Sequence, residues 1–381
     1  MAEQPKASKP GIMVCGHGSR DKGAEREFGL VAAGLKKRFP DMPVEYGFLE
    51  FSAPNIHMGL NSLIDQGVNE IYAVPGMLFA ATHAKNDIPS VLTTFDETNS
   101  GVKVEYGNEL GLHDAMINAF QARIYESMDI DPQQPPASLY DTMLVVVGRG
   151  TSDTMANAEV AKLTRIVNEN MGFGWADTVY SGVTYPSVGE GLERLVKLGF
   201  KKIIVAPYFL FTGRLIKRIY GYVDHVAKQF PEVEFIKTPY LKDHEKVIDA
   251  FEVRVREIMG DQAMPENLMG AFKRRLAAGD VDVHHHHAEF DPSNPDASKH
   301  EELHTHSHSH GHTHSHANDQ AHNHGHSHGV YKHISHPLGP RTMIGDGICN
   351  CFMRQFPQEI LEEEKERIAK QSTDLPLAHR Q

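Results

Sequence analysis

From residue 11 onward, short β-branched apolar runs alternate with longer stretches whose apolar residues recur every three or four positions. The runs GIMVC (11–15), VEYGF (44–48), EIYAVP (70–75) and VKVEYG (102–107) predict strands. Segments 21–39, 55–66, 85–95 and 112–128 predict amphipathic helices between and after them. Strands alternating with helices through short connections predict a parallel sheet with helices on both faces, an α/β fold. The stretch DPQQPP (131–136) breaks the pattern and reads as a linker. Beyond it TMLVVVG, TVYSGV, KKIIVAP and VEFIKTP repeat the same order of strands.

The repetition has a register. An offset of 132 positions places Pro54 on Pro186, Leu60 on Leu192, Gly67 on Gly199, Pro75 on Pro207, Leu78 on Leu210 and Phe79 on Phe211. GHGSRD at Gly16 falls on GRGTSD at Gly148. Matched glycines and prolines mark matched backbone turns, so the pattern implies duplication of one α/β unit. The expected organisation is a first half over 1–130, a linker over 131–141, a second half over 142–262, a His-rich region over 263–340 and a Cys-containing tail over 341–381.

Composition limits the rest. The chain has 381 residues and a formal net charge of −12, which argues against a nucleic acid or an anionic membrane as main partner. It has no apolar run of 18 residues, so no membrane span is expected. Three cysteines are too few for a disulfide framework, and MAEQPKASKPG lacks the apolar centre of a secretory signal, so a cytoplasmic protein is expected. The segment 284–336 holds 18 of the 25 histidines and almost no large aliphatic residues, so it adds little to any core.

In open parallel α/β sheets ligands sit beyond the carboxyl ends of the strands. His17 follows the first strand, Glu50 the second and His83 the third. Two imidazoles and a carboxylate converging on one mouth suit a divalent transition metal. In the second half the register puts Arg149 on His17 and Gly182 on Glu50, and places Arg214 within one residue of the His83 position. All three ligand candidates are absent together from a retained scaffold, as expected if they form one unit. Neither GxGxxG nor GxxxxGK[ST] occurs where a nucleotide would need it.

GHGSRD after the first strand, FLEFSAPNI after the second and HAKNDIP after the third resemble the class II tetrapyrrole chelatases, specifically the long-form sirohydrochlorin cobaltochelatases. The resemblance implies two flavodoxin-like, chelatase-type domains facing a central cleft. It implies insertion of Co2+, as substrate metal, into sirohydrochlorin on the route to cobalamin. His17 and His83 match the family's catalytic histidines and Glu50 its metal-site carboxylate. Iron or nickel insertion remains the alternative, because His/His/Glu ligation does not separate these metals. Metal insertion removes two pyrrolic protons, which calls for a base that titrates near neutrality. A carboxylate-rich tetrapyrrole on an acidic protein also calls for local cations: Arg20 and Lys85 in the first half, Arg149 and Arg214 at the equivalent mouth of the second. Lys217 and Arg218 read as ordinary solvated charges.

The alternating histidines His304, His306, His308, His310, His312, His314 and His316 offer many exchangeable imidazole sites and read as an accessory metal reservoir. Cys349 and Cys351 leave open an iron–sulfur cluster bridging two subunits of a homo-oligomer, a thiolate metal site or a redox pair. A rival from another class is a metal-storage protein or metallochaperone, for which no preorganised His17/Glu50/His83 set would be needed.

Overall fold

A computed structural model of the chain describes residues 8–136, 139–260, 268–279 and 281. In the first half β1 (Pro10–Gly16), β2 (Val44–Phe48), β3 (Glu70–Pro75) and β4 (Lys103–Tyr106) form a four-stranded sheet ordered β2-β1-β3-β4. All its pairings are parallel. The crossovers are α1 (Lys22–Arg38), α2 (Ile56–Asp65) and α3 (Ile88–Thr98), and α4 (Asp114–Ser127) closes the half. The second half repeats this with β5 (Leu139–Gly148), β6 (Phe173–Tyr180), β7 (Lys202–Pro207) and β8 (Glu234–Lys237), ordered β6-β5-β7-β8. Its helices are α5 (Thr154–Met171), α6 (Val188–Leu195), α7 (Arg214–Gln229) and α8 (Glu245–Ile258). The strand β5 begins at Leu139, inside the 131–141 segment read as linker.

The duplication reaches the backbone. Gly18 and Gly150 both have positive φ, as do Phe51 and Val183, and Gly67 and Gly199. Each pair is related by the 132-residue offset. A β-branched residue such as Val183 in the left-handed region is a genuine outlier. Its recurrence at the Phe51 position shows that the turn belongs to the shared scaffold rather than to the ligand set.

Strand periodicity sorts the core. Ile12 and Val14 face the core between the halves, whereas Met13 and Cys15 face the outer side of the first sheet. Leu144 and Val146 likewise face inward, and Met143, Val145 and Val147 outward. The inner core is continuous across both halves, and the last helix of each half reaches towards the other. Helix α8 lies on α1 and β3, and Arg254 donates to the Leu110 carbonyl at 3.0 Å. Helix α4 packs on α8 and α5; Phe120 meets Tyr208 ring to ring at 5.1 Å, and Arg123 donates to the Leu241 carbonyl at 2.9 Å. Among the described residues no helix is long and apolar enough to cross a membrane.

One further helix, α9 (Leu268–Ala278), follows the second half in sequence but packs on the first. Leu268, Met269 and Phe272 fill the outer core beside α3, and Phe272 is fully buried.

Candidate metal centre

His17 leaves β1 in a turn that no side chain larger than hydrogen could enter at the next position. Gly18 has φ +98°, and a Cβ built there would lie 1.7 Å from the Glu50 carbonyl oxygen. This close approach joins the loops after β1 and β2: Leu49 N–H donates to Gly16 O at 2.9 Å and Glu50 N–H to His17 O at 3.0 Å. Glu50 is thereby fixed, fully buried, beside the imidazole of His17.

His83 is held differently. Residues 85–95 read as one helix from the sequence, but the backbone over His83–Asp87 is a π-helical turn that leads into α3. The cause is Pro89, which has no N–H to give to the carbonyl four residues back, Lys85 O. Side chains take up the liberated acceptors. Tyr106 Oη donates to Ala84 O at 3.2 Å, and Arg275 of α9 donates to Lys85 O at 2.5 Å and to Asn86 Oδ1 at 2.8 Å. His83 Nδ1 donates to buried Asp87 Oδ2, four residues on, at 2.6 Å.

The hydrogen bonds set the tautomers. His17 Nδ1 lies 3.0 Å from Gly18 O and His83 Nδ1 lies against a carboxylate, so both Nδ1 atoms must donate. Both Nε2 atoms then carry lone pairs. These lone pairs meet: His17 Nε2 is 2.9 Å from His83 Nε2 and 3.2 Å from Glu50 Oε1. One ligand atom from each of the three residues lies within 4.8 Å of the others. With both rings neutral, three acceptors face one another, and either a proton between the two Nε2 atoms or a metal cation among all three would satisfy them. Atoms bound to one divalent ion at about 2.0–2.2 Å stand roughly 3 Å apart. The three atoms are spaced as an N/N/O set that could hold one metal ion, with Asp87 as the outer partner that would orient one imidazole.

Asp87 was not legible as a site residue by strand-end reasoning, although its i+4 spacing from His83 and the proline two residues later were available signals. Asp87→Asn is expected to lower metal affinity or insertion rate by about 10–100-fold while the protein stays folded. Titration of the variant with Co2+ checks this; unchanged affinity and unchanged rate would assign Asp87 to packing alone.

The expected cations fall in three settings. Arg20 is exposed, with its guanidinium 4.9 Å from the centre of the Phe51 ring, beside the His17 loop. Arg149 is exposed beyond β5, and Arg214 opens α7 in the second half. Lys85 instead crosses between the halves to Asp153, with which it forms a short hydrogen-bonded ion pair. Burial raises the Asp153 carboxyl, but the Lys85 bond and the Ala156 and Met155 amides outweigh it and hold the group below the usual Asp range. The residue opposite His83 at the 132 offset is Leu215, one place beyond Arg214, and Lys217 is the counterpart of Lys85. One reading needs correcting: Lys217 is no simple solvated charge, since its Nζ bonds Asp21 Oδ2 at 2.8 Å in the first half. His304, His306, His308, His310, His312, His314, His316, Cys349 and Cys351 lie outside the described residues.

Two parallel sheets from a duplicated unit, with three side chains that could hold a metal ion at the strand ends of one half, define the class: a two-lobed α/β protein with a candidate metal site in its first half. Comparison with known proteins narrows it. The CbiX family model matches residues 11–127 and 143–258, one match in each half. The chain belongs to the CbiX family, within the class II tetrapyrrole chelatases. It is 35% identical over 247 residues to the sirohydrochlorin cobaltochelatase of Priestia megaterium, covering 65% of this chain and 79% of that protein. It is 30% identical over 253 residues to the sirohydrochlorin ferrochelatase of the same organism, covering 66% and 91%. Among solved structures, the sirohydrochlorin chelatase SirB of Bacillus subtilis subspecies spizizenii in complex with cobalt superposes with a TM-score of 0.54 at 26% identity, covering 66% of this chain and 96% of that one.

Proposed function

We propose that the protein is a sirohydrochlorin chelatase that inserts Co2+ into sirohydrochlorin at His17, Glu50 and His83 and releases two protons. The observation that carries this reading is the convergence of His17 Nε2, His83 Nε2 and Glu50 Oε1 in the first half. Arg149, Gly182 and Leu215 stand at the matched places in the second. Relatives that carry the chelatase name support the reaction class, with both cobalt and iron among them.

The chemistry follows from the donor set. Each Nε2 has one lone pair, which either holds the metal or takes a proton. As the ion passes to the four ring nitrogens, each imidazole exchanges its metal bond for a pyrrolic proton. Two imidazoles thus match two protons lost, and a neutral imidazole has the affinity for both steps near neutral pH. Glu50 is fully buried, and its carboxylate would lower the cost of bringing a dication to this place. Arg20, Arg149 and Arg214 are the cations we assign to substrate carboxylates.

The alternating histidines from His304 to His316 serve in this reading as a metal reservoir. The chain enters that region from α9, which is anchored directly behind the His83 turn on the active half. A tether there raises local metal concentration without needing a preorganised site of its own. The Cys349/Cys351 pair stands apart. With three cysteines in the chain and Cys15 buried in β1, one chain cannot supply the four thiolates of an ordinary cluster.

Anaerobic spectrophotometry with sirohydrochlorin and equal concentrations of Co2+, Fe2+ and Ni2+ tests the proposal. A protein-dependent rate highest with cobalt is expected. A rate highest with iron would replace the metal and keep the reaction. No rate above the protein-free control with any metal, together with bulk metal binding lost on deletion of 284–336, would favour storage.

A further inference from the structure

Among the ion pairs that join the halves, two are one pair seen twice. Lys85 in the π-helical turn binds Asp153, which precedes α5; Lys217 in α7 binds Asp21, which precedes α1. Asp21 and Asp153 are 132 positions apart, as are Lys85 and Lys217. The duplication has therefore placed the same Lys–Asp contact reciprocally on both sides of the junction. Both elements of the metal centre carry one end of it. Asp21 belongs to the loop that holds His17, and Lys85 lies two residues beyond His83.

The carboxylates are divided in function. Asp21 Oδ1 accepts from Gly23 N–H at 2.9 Å, and Asp153 Oδ1 accepts from Met155 and Ala156 N–H at 3.0 and 3.1 Å. These oxygens cap α1 and α5. In both residues the other oxygen, Oδ2, reaches across to the lysine of the opposite half. The bridging oxygen is thus not needed for the helix. If it were displaced, the aspartate would keep its cap bonds and its favourable place at a helix N-terminus. The second half has lost every metal ligand yet keeps this lysine and this aspartate, so the pair serves a task that involves both halves rather than the metal.

We propose that the two reciprocal pairs form a carboxylate-exchange latch: Asp153 and Asp21 occupy Lys85 and Lys217 in the free protein, and carboxylates of the tetrapyrrole replace them on binding. This rests on the reading of the protein as a tetrapyrrole chelatase. An acidic chain must keep its cations from standing unpaired beside its metal site, yet offer them to a polyanion. Exchange of one carboxylate for another does both. The aspartates then compete with substrate, so removing their charge strengthens binding, whereas pairs that only brace the fold would weaken it when lost.

Asn caps a helix as well as Asp does, so Asp21→Asn with Asp153→Asn removes the competing charge and keeps α1 and α5 capped. Binding of metal-free sirohydrochlorin to the full chain is followed by absorbance, with no metal added. The double variant is expected to bind about three- to tenfold tighter than the wild type, from two pairs of ordinary strength. Lys85→Gln with Lys217→Gln is expected to bind at least as many fold weaker. Circular dichroism checks folding, and each single Asp→Asn variant should show part of the gain if the double variant is unstable. Wild-type binding with equal or weaker binding by the Asp→Asn variants would overturn the latch alone. Absence of sirohydrochlorin binding by the wild type would overturn the chelatase reading and the latch with it.

Discussion

Replacing His83 or His17 by alanine is expected to lower the metal-insertion rate by about 10²–10⁴-fold, measured anaerobically with sirohydrochlorin and Co2+ or Fe2+. Each substitution removes one of two lone pairs that face each other at 2.9 Å. A metal left on one imidazole and Glu50 loses both a ligand and a proton acceptor. Because the two rings act on one ion, the double variant is expected to be scarcely slower than either single one, as for residues that work as a unit. Thermal unfolding should change little for His17→Ala, whose ring is partly exposed. His83→Ala leaves Asp87 buried without its imidazole, so a moderate loss of stability should accompany its loss of activity. Insertion that survives in both single variants at near wild-type rate would remove these histidines from the chemistry.

The second large effect separates scaffold from site. Gly18→Ala and Gly150→Ala make the same steric error in the two halves. The new Cβ would lie 1.7 Å from Glu50 O in one and 1.8 Å from Gly182 O in the other, at φ +98° and +80°. Both contacts are with backbone, which cannot rotate away. Conformational strain alone is worth about 1–3 kcal/mol, so both variants should melt several degrees lower. Only Gly18→Ala should also lose insertion, by about 10²-fold, because it pushes Glu50 and His17 apart and displacements near 1 Å cost that much. Gly150→Ala displaces the loop that carries Arg149, so it should weaken sirohydrochlorin binding yet keep the rate of its folded fraction at saturating sirohydrochlorin. An equal loss of that saturated rate in Gly150→Ala would mean that the loop after β5 takes part in the insertion step itself.

The strand-end logic found His17, Glu50 and His83 because a parallel sheet places all such ends on one edge, so three residues distant in sequence share one mouth. It did not find Asp87. Its spacing from His83 was visible, but not that both side chains would be buried against one another on a turn braced by Tyr106 and Arg275. Nor did it find the reciprocal pairs, although the 132-residue offset already related Asp21 to Asp153 and Lys85 to Lys217. A charge in a sequence carries no record of its partner, and Lys85 read as a free cation until its neighbour across the junction was known.

The sequence by itself determined the strands and helices, their duplication, the placing of His17, Glu50 and His83 at the strand ends of one half and their absence from the matched places in the second. These follow from local periodicity, turn residues and register, all of which are written along one chain. Only the tertiary structure decided that α4 and α8 pack across the junction, that α9 returns to brace the His83 turn, and that Asp21 and Asp153 grip lysines of the opposite half. Those outcomes depend on which apolar face finds the best burial and which charge lies within reach once the halves meet. Residues far apart in sequence settle both, and their pairing has no period to betray it.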